Sequence, residues 1–207
     1  MNSMKKIILS ILVFSLVLSG CGKKKTADTS QQATPTTTEM TELVLTEKPY
    51  ISLIPRQDGH ELKLKVTKIP SIIKQIDYEL VYTAKSEGSE IEKGVGDTVK
   101  NVSSSIEKDL LLGTASCTNG CKYKYDDGVT GGTVTLTLIT ADNQSATIEA
   151  PFSIKSIAQV KKSGTMDLST ENFSTKVTDK SGSFYTLIKN DKVYSLFSNN
   201  GLIKDLP

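Results

Sequence analysis

The stretch Thr133–Thr140, TVTLTLIT, alternates apolar and hydroxyl side chains with a period of two. Successive side chains of a strand point to opposite faces, so this pattern predicts a strand with valine and leucine inward and threonine outward. The segment Ala146–Phe152 repeats the alternation with alanine, isoleucine and phenylalanine. Asp142-Asn143, a pair typical of turns, lies between them. The region therefore predicts two half-buried strands separated by a turn.

The same alternation recurs outward along the chain. It is clear in His60–Val66 and Gln75–Ala84, and weaker in Tyr50–Ile54, Glu90–Lys100, Ile106–Leu112 and Lys122–Asp126. The spacers carry turn residues, among them Asp58-Gly59, Glu87-Gly88, Asp127-Gly128 and Gly131-Gly132. No segment has convincing helical periodicity. About eight short strands at a spacing of roughly 10–15 residues predict an all-β antiparallel sandwich and not alternating βαβ units.

The sandwich prediction covers residues 49–156. Its outline resembles immunoglobulin-like and fibronectin-III-like modules, and the resemblance is architectural only. The chain has no Trp, and it lacks the long-range Cys pair of antibody domains.

Residues 157–207 are interpreted as a small C-terminal β-hairpin or meander. Two strands, Ser183–Lys189 and Lys192–Ser198, are separated by Asn190-Asp191, a pair that tolerates positive φ. A further strand is expected within Thr170–Asp179. Bulky side chains occupy both faces of this hairpin, and a lone hairpin is marginally stable in water. We therefore expect it to dock on the sandwich or to form a meander of its own.

The N-terminus, residues 1–20, predicts a signal peptide. Two lysines precede an apolar run from Ile7 to Leu18, which as a helix would reach ~18 Å and fall short of the ~30 Å hydrocarbon core. The next residues, Leu18-Ser19-Gly20-Cys21, resemble the lipobox of bacterial lipoproteins. The resemblance implies cleavage before Cys21 and lipidation of its thiol, with the mature protein held on the cell membrane and facing away from the cytoplasm.

Residues 21–48 are interpreted as a flexible spacer that follows the lipidated cysteine. The segment from Thr26 to Thr46 is rich in threonine and poor in apolar residues, so it cannot bury enough surface to offset its ordering entropy. Lys23, Lys24 and Lys25 could add attraction to anionic head groups. Membrane attachment through the N-terminal lipid is thus the first expected partnership.

Cys117 and Cys121 predict a disulfide at the tip of a hairpin. They frame Thr118-Asn119-Gly120, and a three-residue hairpin loop commonly ends in a left-handed glycine. This register places the two cysteines opposite each other, within disulfide range. A redox pair and a pair of metal ligands are the alternatives. Redox motifs normally separate the cysteines by two residues, and no His or further Cys lies nearby for a metal.

The hairpin that carries this pair is the candidate binding surface. Tyr123 and Tyr125 share one face of the expected strand, and Asp126 and Asp127 follow. The tyrosines offer either cross-strand packing or a contact patch for an envelope protein or glycan. The expected site lies at the end formed by residues 115–127 and a turn over residues 128–132.

The composition excludes several classes of function. A net charge of +2 gives no electrostatic case for nucleic acid, and a single His cannot build a two-His metal site. We expect no cofactor and no resident metal. His60 follows a turn glycine, and no G-x-S-x-G motif supports it as a catalytic base. The sequence thus favours a non-catalytic lipoprotein that displays a sandwich for binding or envelope structure. The alternative is a lipid-anchored hydrolase acting on glycan or peptide.

Overall fold

The structure is a computed structural model that describes residues 40–207. The predicted signal peptide, Cys21 and the first part of the predicted spacer lie outside the described residues. The described strands are β1 (Thr41–Glu42), β2 (Tyr50–Pro55), β3 (Glu61–Thr67), β4 (Ile73–Ser86), β5 (Ser89–Lys100), β6 (Ile106–Leu111), β7 (Gly113–Cys117), β8 (Cys121–Tyr125), β9 (Asp127–Thr140), β10 (Gln144–Ser156), β11 (Thr165–Leu168), β12 (Phe173–Lys176), β13 (Phe184–Asn190), β14 (Val193–Ser198) and β15 (Gly201–Leu206). The helix α1 covers Ile157–Ser163, and a 3₁₀ turn covers Ser169–Glu171.

Two facing sheets form the body of the protein. The large sheet has the order β15-β14-β13-β10-β9-β4-β5, with antiparallel neighbours throughout. The short strand β1 adds to β10 in parallel, at Gln144 and Ser145. The small sheet has the antiparallel order β2-β3-β6. The predicted all-β sandwich is confirmed.

The period-two pattern of the sequence becomes the core between the sheets. Leu136 lies opposite Tyr78 on one side and Ile148 on the other, so three strands contribute apolar side chains to one row. The small sheet meets this row with Leu62 and Leu64, both fully buried. The threonines of β9 alternate with its leucines and lie on the other face of the sheet. One hydrophobic cluster therefore holds the two sheets together.

Polar contacts close the sandwich where β2 approaches the C-terminal strands. The Asn190 side chain accepts from the backbone N–H of Ile51 and donates to its carbonyl, both at 2.8 Å. The hydroxyl of Thr186 donates to the carbonyl of Leu53. Since both side chains are buried, these bonds satisfy backbone groups of β2 that have no strand partner on that side.

The C-terminal region continues the large sheet, because β13 pairs with β10 from Phe184 to Ile188. One face of the β13–β14 hairpin joins the main core, through Ile188 and Phe197. The other face, with Leu187 and Leu196, packs under α1 and the β11–β12 pair in a second cluster. Both apolar faces of the hairpin are thereby buried.

The helix α1 was not expected from periodicity, since its seven residues bury only Val160. Its ends nevertheless carry readable signals. The Ser156 side chain caps the N-terminus and the Gln159 side chain bonds back to the Ser156 backbone, forming a capping box. Gly164 ends the helix in the left-handed conformation, and its N–H donates to the Val160 carbonyl at 2.7 Å.

The turn predicted over residues 128–132 is absent, because these residues belong to the long strand β9. Its glycines serve close approach instead of chain reversal. A Cβ on Gly132 would lie 1.9 Å from the Val81 carbonyl oxygen of the neighbouring strand, which no side chain could tolerate. The register of β9 with β4 also shifts between Thr83 and Lys85, so a bulge accommodates the extra residues.

Candidate functional site

A two-stranded hairpin, β7–β8, stands apart from both sheets and is called the arm. Its strands pair only with each other, and no other strand within residues 40–207 joins them. Every residue of the arm is exposed except Gly113, which is half-buried. The arm follows β6 of the small sheet and precedes β9 of the large sheet. It thus connects the two layers without contributing to their core.

The tip of the arm is closed by the predicted disulfide between Cys117 and Cys121. The two residues lie opposite each other in the register, with their Cα atoms 4.1 Å apart. Gly120 has a φ of +92°, which an L side chain rarely adopts, and this lets the three-residue loop close. The pairing, the register and the conformation of Gly120 agree with the sequence prediction.

Alternation along β8 gives the arm two different faces. Tyr123 and Tyr125 lie on one face, and their cross-strand partners, Ala115 and Gly113, are small. The tyrosine side chains therefore have little cover, and Tyr123 is 54% exposed. Their rings are parallel within 5°, with centroids 6.1 Å apart. This face presents aromatic surface to solvent mainly at Tyr123, since Tyr125 is only 37% exposed.

The opposite face of the arm is basic. Lys122 lies opposite Ser116, and Lys124 lies opposite Thr114. No ion pair within residues 40–207 includes either lysine. The two ammonium groups lie in solvent on the same side of one strand. The arm is therefore aromatic on one face and cationic on the other.

Residues of the β2–β3 turn brace the aromatic face near its base. The His60 ring stacks on Tyr125 with centroids 4.0 Å apart and planes within 7°. The Arg56 guanidinium lies 6.0 Å from the Tyr125 centroid, within reach of a cation–π contact. Three nearly parallel rings, His60, Tyr125 and Tyr123, thus run outward from the sandwich along the arm. No local sequence pattern links His60 or Arg56 to the tyrosines.

Arg56 and His60, together called the brace, are held in place by charged groups. Arg56 donates from Nε and Nη2 to the two carboxylate oxygens of Asp58, each at 2.7 Å, and its Nη1 lies 2.6 Å from Glu61 Oε1. The hydrogen bonds from Arg56 are the main reason that the pKa of Asp58 falls to about 2. The same carboxylate accepts from the His60 backbone N–H at 3.1 Å, which fixes the turn.

Asp126 anchors the base of the arm to the large sheet. Its carboxylate accepts from the Tyr82 hydroxyl and from the Lys93 ammonium, both at 2.7 Å, and its side chain is only 11% exposed. Burial by itself raises the pKa of Asp126, but the bonds from Lys93 and Tyr82 outweigh it and hold that pKa below its usual value. Burial and the Asp126 carboxylate together raise the pKa of Tyr82.

The four residues of the expected binding surface therefore have three different positions. Tyr123 and Tyr125 lie exposed on one face of the arm. Asp126 is occupied by Tyr82 and Lys93 and is part of the support of the arm instead of its contact surface. Asp127 is exposed at the start of β9, where it lies opposite Lys85 of β4 in the strand register. The expected surface is thus divided between exposed residues and a residue that anchors the arm.

A shallow cavity of about 340 Å³ lies beside the base of the arm. Asp58, His60, Asp126 and Asp127 are among the residues that line it. Within residues 40–207, no group of three or more His, Cys, Asp or Glu residues is arranged to hold a metal ion. The His60 Nδ1 atom lies 3.5 Å from Asp58 Oδ2, and the imidazole is otherwise engaged in stacking on Tyr125.

Comparisons with protein-family models, with curated proteins and with solved structures find no match for this chain. Among the described residues, no helix is long and apolar enough to cross a membrane.

Proposed function

We propose that this protein is a membrane-anchored lipoprotein outside the cytoplasm, and that it uses the arm as a non-catalytic binding element for a component of the cell envelope. The observation that carries the proposal is the exposure of two parallel tyrosine rings on a hairpin that is cross-linked at its tip and anchored at its base. Tyrosine offers a large contact area with few torsions to immobilise. Loops and hairpins held by a rigid scaffold are common places for recognition.

The contacts that stabilise the exposed arm support a functional role. An isolated two-stranded hairpin is marginally stable in water, because neither of its faces is covered. The arm is nevertheless fixed at its tip by the Cys117–Cys121 bond and at its base by Asp126 and the stack on His60. A ribbon fixed in this way loses little conformational entropy when it binds a partner. These contacts maintain an exposed hairpin of which no residue is buried.

The position of the arm suits a protein displayed from a membrane. The chain joins the large sheet at β1, beside Gln144 and Ser145, at the end of the sheet where β9 finishes. The arm lies at the other end, where β9 begins at Asp127. Fourteen residues of strand separate the two ends, about 40 Å at the usual rise. The described chain therefore enters the fold at the end of the large sheet that is far from the arm.

The anchor is tested by replacing Cys21 with Ser in the full chain and expressing both forms in a lipoprotein-processing bacterium. The proposal expects the parent protein to partition into detergent and to carry a lipid mass increment on its N-terminal peptide. The Cys21→Ser protein should do neither. Equal maturation and partitioning of the two proteins would contradict the lipid anchor.

The binding role is tested with the full chain in which Tyr123 and Tyr125 are replaced by Ala. Retention on envelopes prepared from cells that lack the protein should fall, while the protein still unfolds cooperatively, with a loss of stability of no more than about 2 kcal/mol. Leu202→Ala is a matched control, because Leu202 is 53% exposed on the edge strand β15, outside the arm. If both proteins were retained as well as the parent, the arm would not be the binding element.

A further inference from the structure

We infer that the partner of the arm is an extended polypeptide segment that pairs with the open edge of β8 and alternates apolar with acidic side chains. This inference rests on the proposed binding role of the arm and specifies the chemistry of its partner. It commits to a protein and not to a glycan. Three features of the arm carry it: an unpaired edge, two unlike faces and a fixed register.

The unpaired edge is the first feature. β8 pairs with β7 on one side, and no strand within residues 40–207 pairs with it on the other. Every second backbone N–H and C=O of an edge strand points outward and is available to a new strand. A segment added there would turn a marginal two-stranded ribbon into a three-stranded sheet. Such strand addition obtains its affinity from main-chain hydrogen bonds.

The second feature is the difference between the two faces of β8. Any residue placed directly opposite a residue of β8 has its side chain on the same face. Residues opposite Tyr123 and Tyr125 would lie beside exposed aromatic rings, where apolar side chains gain most. Residues opposite Lys122 and Lys124 would lie beside ammonium groups that form no ion pair within the described part, where carboxylates are favoured. The segment that fits therefore alternates apolar and acidic residues.

The third feature is selectivity for a partner over a second copy of the arm. If two β8 strands paired antiparallel about Tyr123, Lys122 of one copy would lie opposite Lys124 of the other. Like charges directly opposite each other are destabilising, so the lysines oppose this symmetric pairing. The same side chains favour an acidic strand. The charge pattern thus disfavours association of the arms of two copies and favours a partner of opposite charge.

The supports of the arm keep this edge in one register. Asp126 and the His60 stack hold the base, and the disulfide holds the tip, so the five residues of β8 present a fixed template. A fixed template specifies which face each partner residue takes, since a slip of one residue exchanges the faces. Affinity should accordingly depend on the alternation of the partner and not only on its composition.

The test is a binding titration of the full-length protein in detergent with synthetic peptides. The probe is a capped peptide of about ten residues in which valine and glutamate alternate, long enough to span β8. Matched peptides have the same composition in scrambled order, lysine in place of glutamate, or N-methyl groups on alternate backbone nitrogens. We expect the alternating acidic peptide to bind with an affinity at least tenfold higher than that of each control peptide. The outward amides of β8 should gain protection from hydrogen exchange.

Variants of the protein sharpen the result. Lys122→Glu with Lys124→Glu should reverse the preference, so that the lysine peptide binds and the glutamate peptide does not. Lys161→Glu with Lys162→Glu makes the same charge change on α1, outside the arm, and should leave the preference unchanged. Equal binding of the scrambled or N-methylated peptide would overturn strand addition.

The outcome also separates this inference from the proposed function. If replacement of Tyr123 and Tyr125 abolishes envelope retention but no peptide binds, the inference fails and the binding role of the arm stands. Arm-dependent binding to purified envelope polysaccharide in place of peptide would likewise overturn the inference. If the tyrosine replacements leave envelope retention intact, the proposed function itself fails.

Discussion

Two hairpins in this protein have similar lengths and opposite environments. In β13–β14, five of seven residues and four of six are buried, since one face joins the main core and the other packs under α1. In the arm, no residue is buried on either face. The first hairpin is ordered by what covers its faces. The arm is ordered by the disulfide at its tip and by the contacts of Asp126 and His60 at its base. It can therefore be stable although its faces are exposed.

The comparison predicts first that truncation of a core residue in the covered hairpin has the largest effect. Leu187 is fully buried in the second cluster. Replacement by Ala should lower the free energy of unfolding by about 2–5 kcal/mol, because it removes apolar contacts and leaves a cavity. Urea unfolding measures the change. Leu202→Ala, at an exposed position, should stay within about 0.5 kcal/mol. Similar losses for the two variants would show that the second cluster contributes little.

The second prediction concerns the anchor of the arm. Asp126→Ala should cost about 1–3 kcal/mol, because it leaves the Tyr82 hydroxyl and the Lys93 ammonium without their acceptor. The neighbouring Asp127→Ala is the matched control, since Asp127 is exposed and should change stability by less than about 0.5 kcal/mol. Hydrogen exchange should also become faster in β7 and β8 of the Asp126 variant. If the two variants unfold alike, the anchor does not hold the arm.

The third prediction concerns the Cys117–Cys121 disulfide at the tip of the arm. Replacing Cys117 and Cys121 together with Ser should lower stability by no more than about 2 kcal/mol, because the closed loop is short. The effect should be local, with faster hydrogen exchange at the arm and unchanged exchange in β13. A loss larger than that of Leu187→Ala would mean that the arm supports the body of the sandwich.

The sequence predicted the sandwich and the stapled tip because both depend on local patterns. Alternation in Thr133–Thr140 reflects one buried face, and the spacing of the cysteines around Gly120 reflects one hairpin register. The brace could not be predicted in this way. Arg56 and His60 meet Tyr125 only because the β2–β3 turn and the arm lie at the same end of the fold, and no local pattern records that contact.

Two differences between the sequence prediction and the structure have similar causes. The sequence predicts a turn at Gly131-Gly132, but glycine also permits close approach of strands, and sequence alone does not distinguish these uses. The place of Asp126 in the chain, directly after Tyr125, predicts a contact residue beside the tyrosines. Its actual partners, Tyr82 and Lys93, are distant in sequence and were brought to it by the pairing of β4 with β5 and β9.

The fourth prediction is a pH effect on the brace. The pKa of Asp58 lies at about 2 in the folded protein, below the value of about 3.9 expected when unfolded. Its pairing with Arg56 therefore stabilises the fold above about pH 4, and this contribution is lost as the pH falls toward 2. Both side chains are substantially exposed, so the effect on global stability should be small. An NMR titration of the Asp58 carboxyl carbon measures the pKa, and a value near 3.9 would contradict the brace.

The last prediction distinguishes the roles of the two tyrosines on the aromatic face of the arm. Tyr125 stacks on His60 and lies under Arg56. Within residues 40–207, the only aromatic ring stacked near Tyr123 is that of Tyr125. Tyr125→Ala should therefore lower stability by about 0.5–1.5 kcal/mol, the range for an aromatic pair. Tyr123→Ala should change it by less than about 0.5 kcal/mol, as expected of an exposed side chain.

Binding should show the opposite order, because Tyr123 is the more exposed of the two and should meet a partner with more of its surface. Envelope retention of each single variant, measured beside its urea unfolding curve, tests this. His60→Ala is the control that removes the stack on Tyr125 without altering either tyrosine. If Tyr123→Ala were as destabilising as Tyr125→Ala, the Tyr123 ring would be packed and not exposed. The contrast between the covered β13–β14 hairpin and the exposed arm would then be wrong at Tyr123, the residue on which the binding proposal most depends.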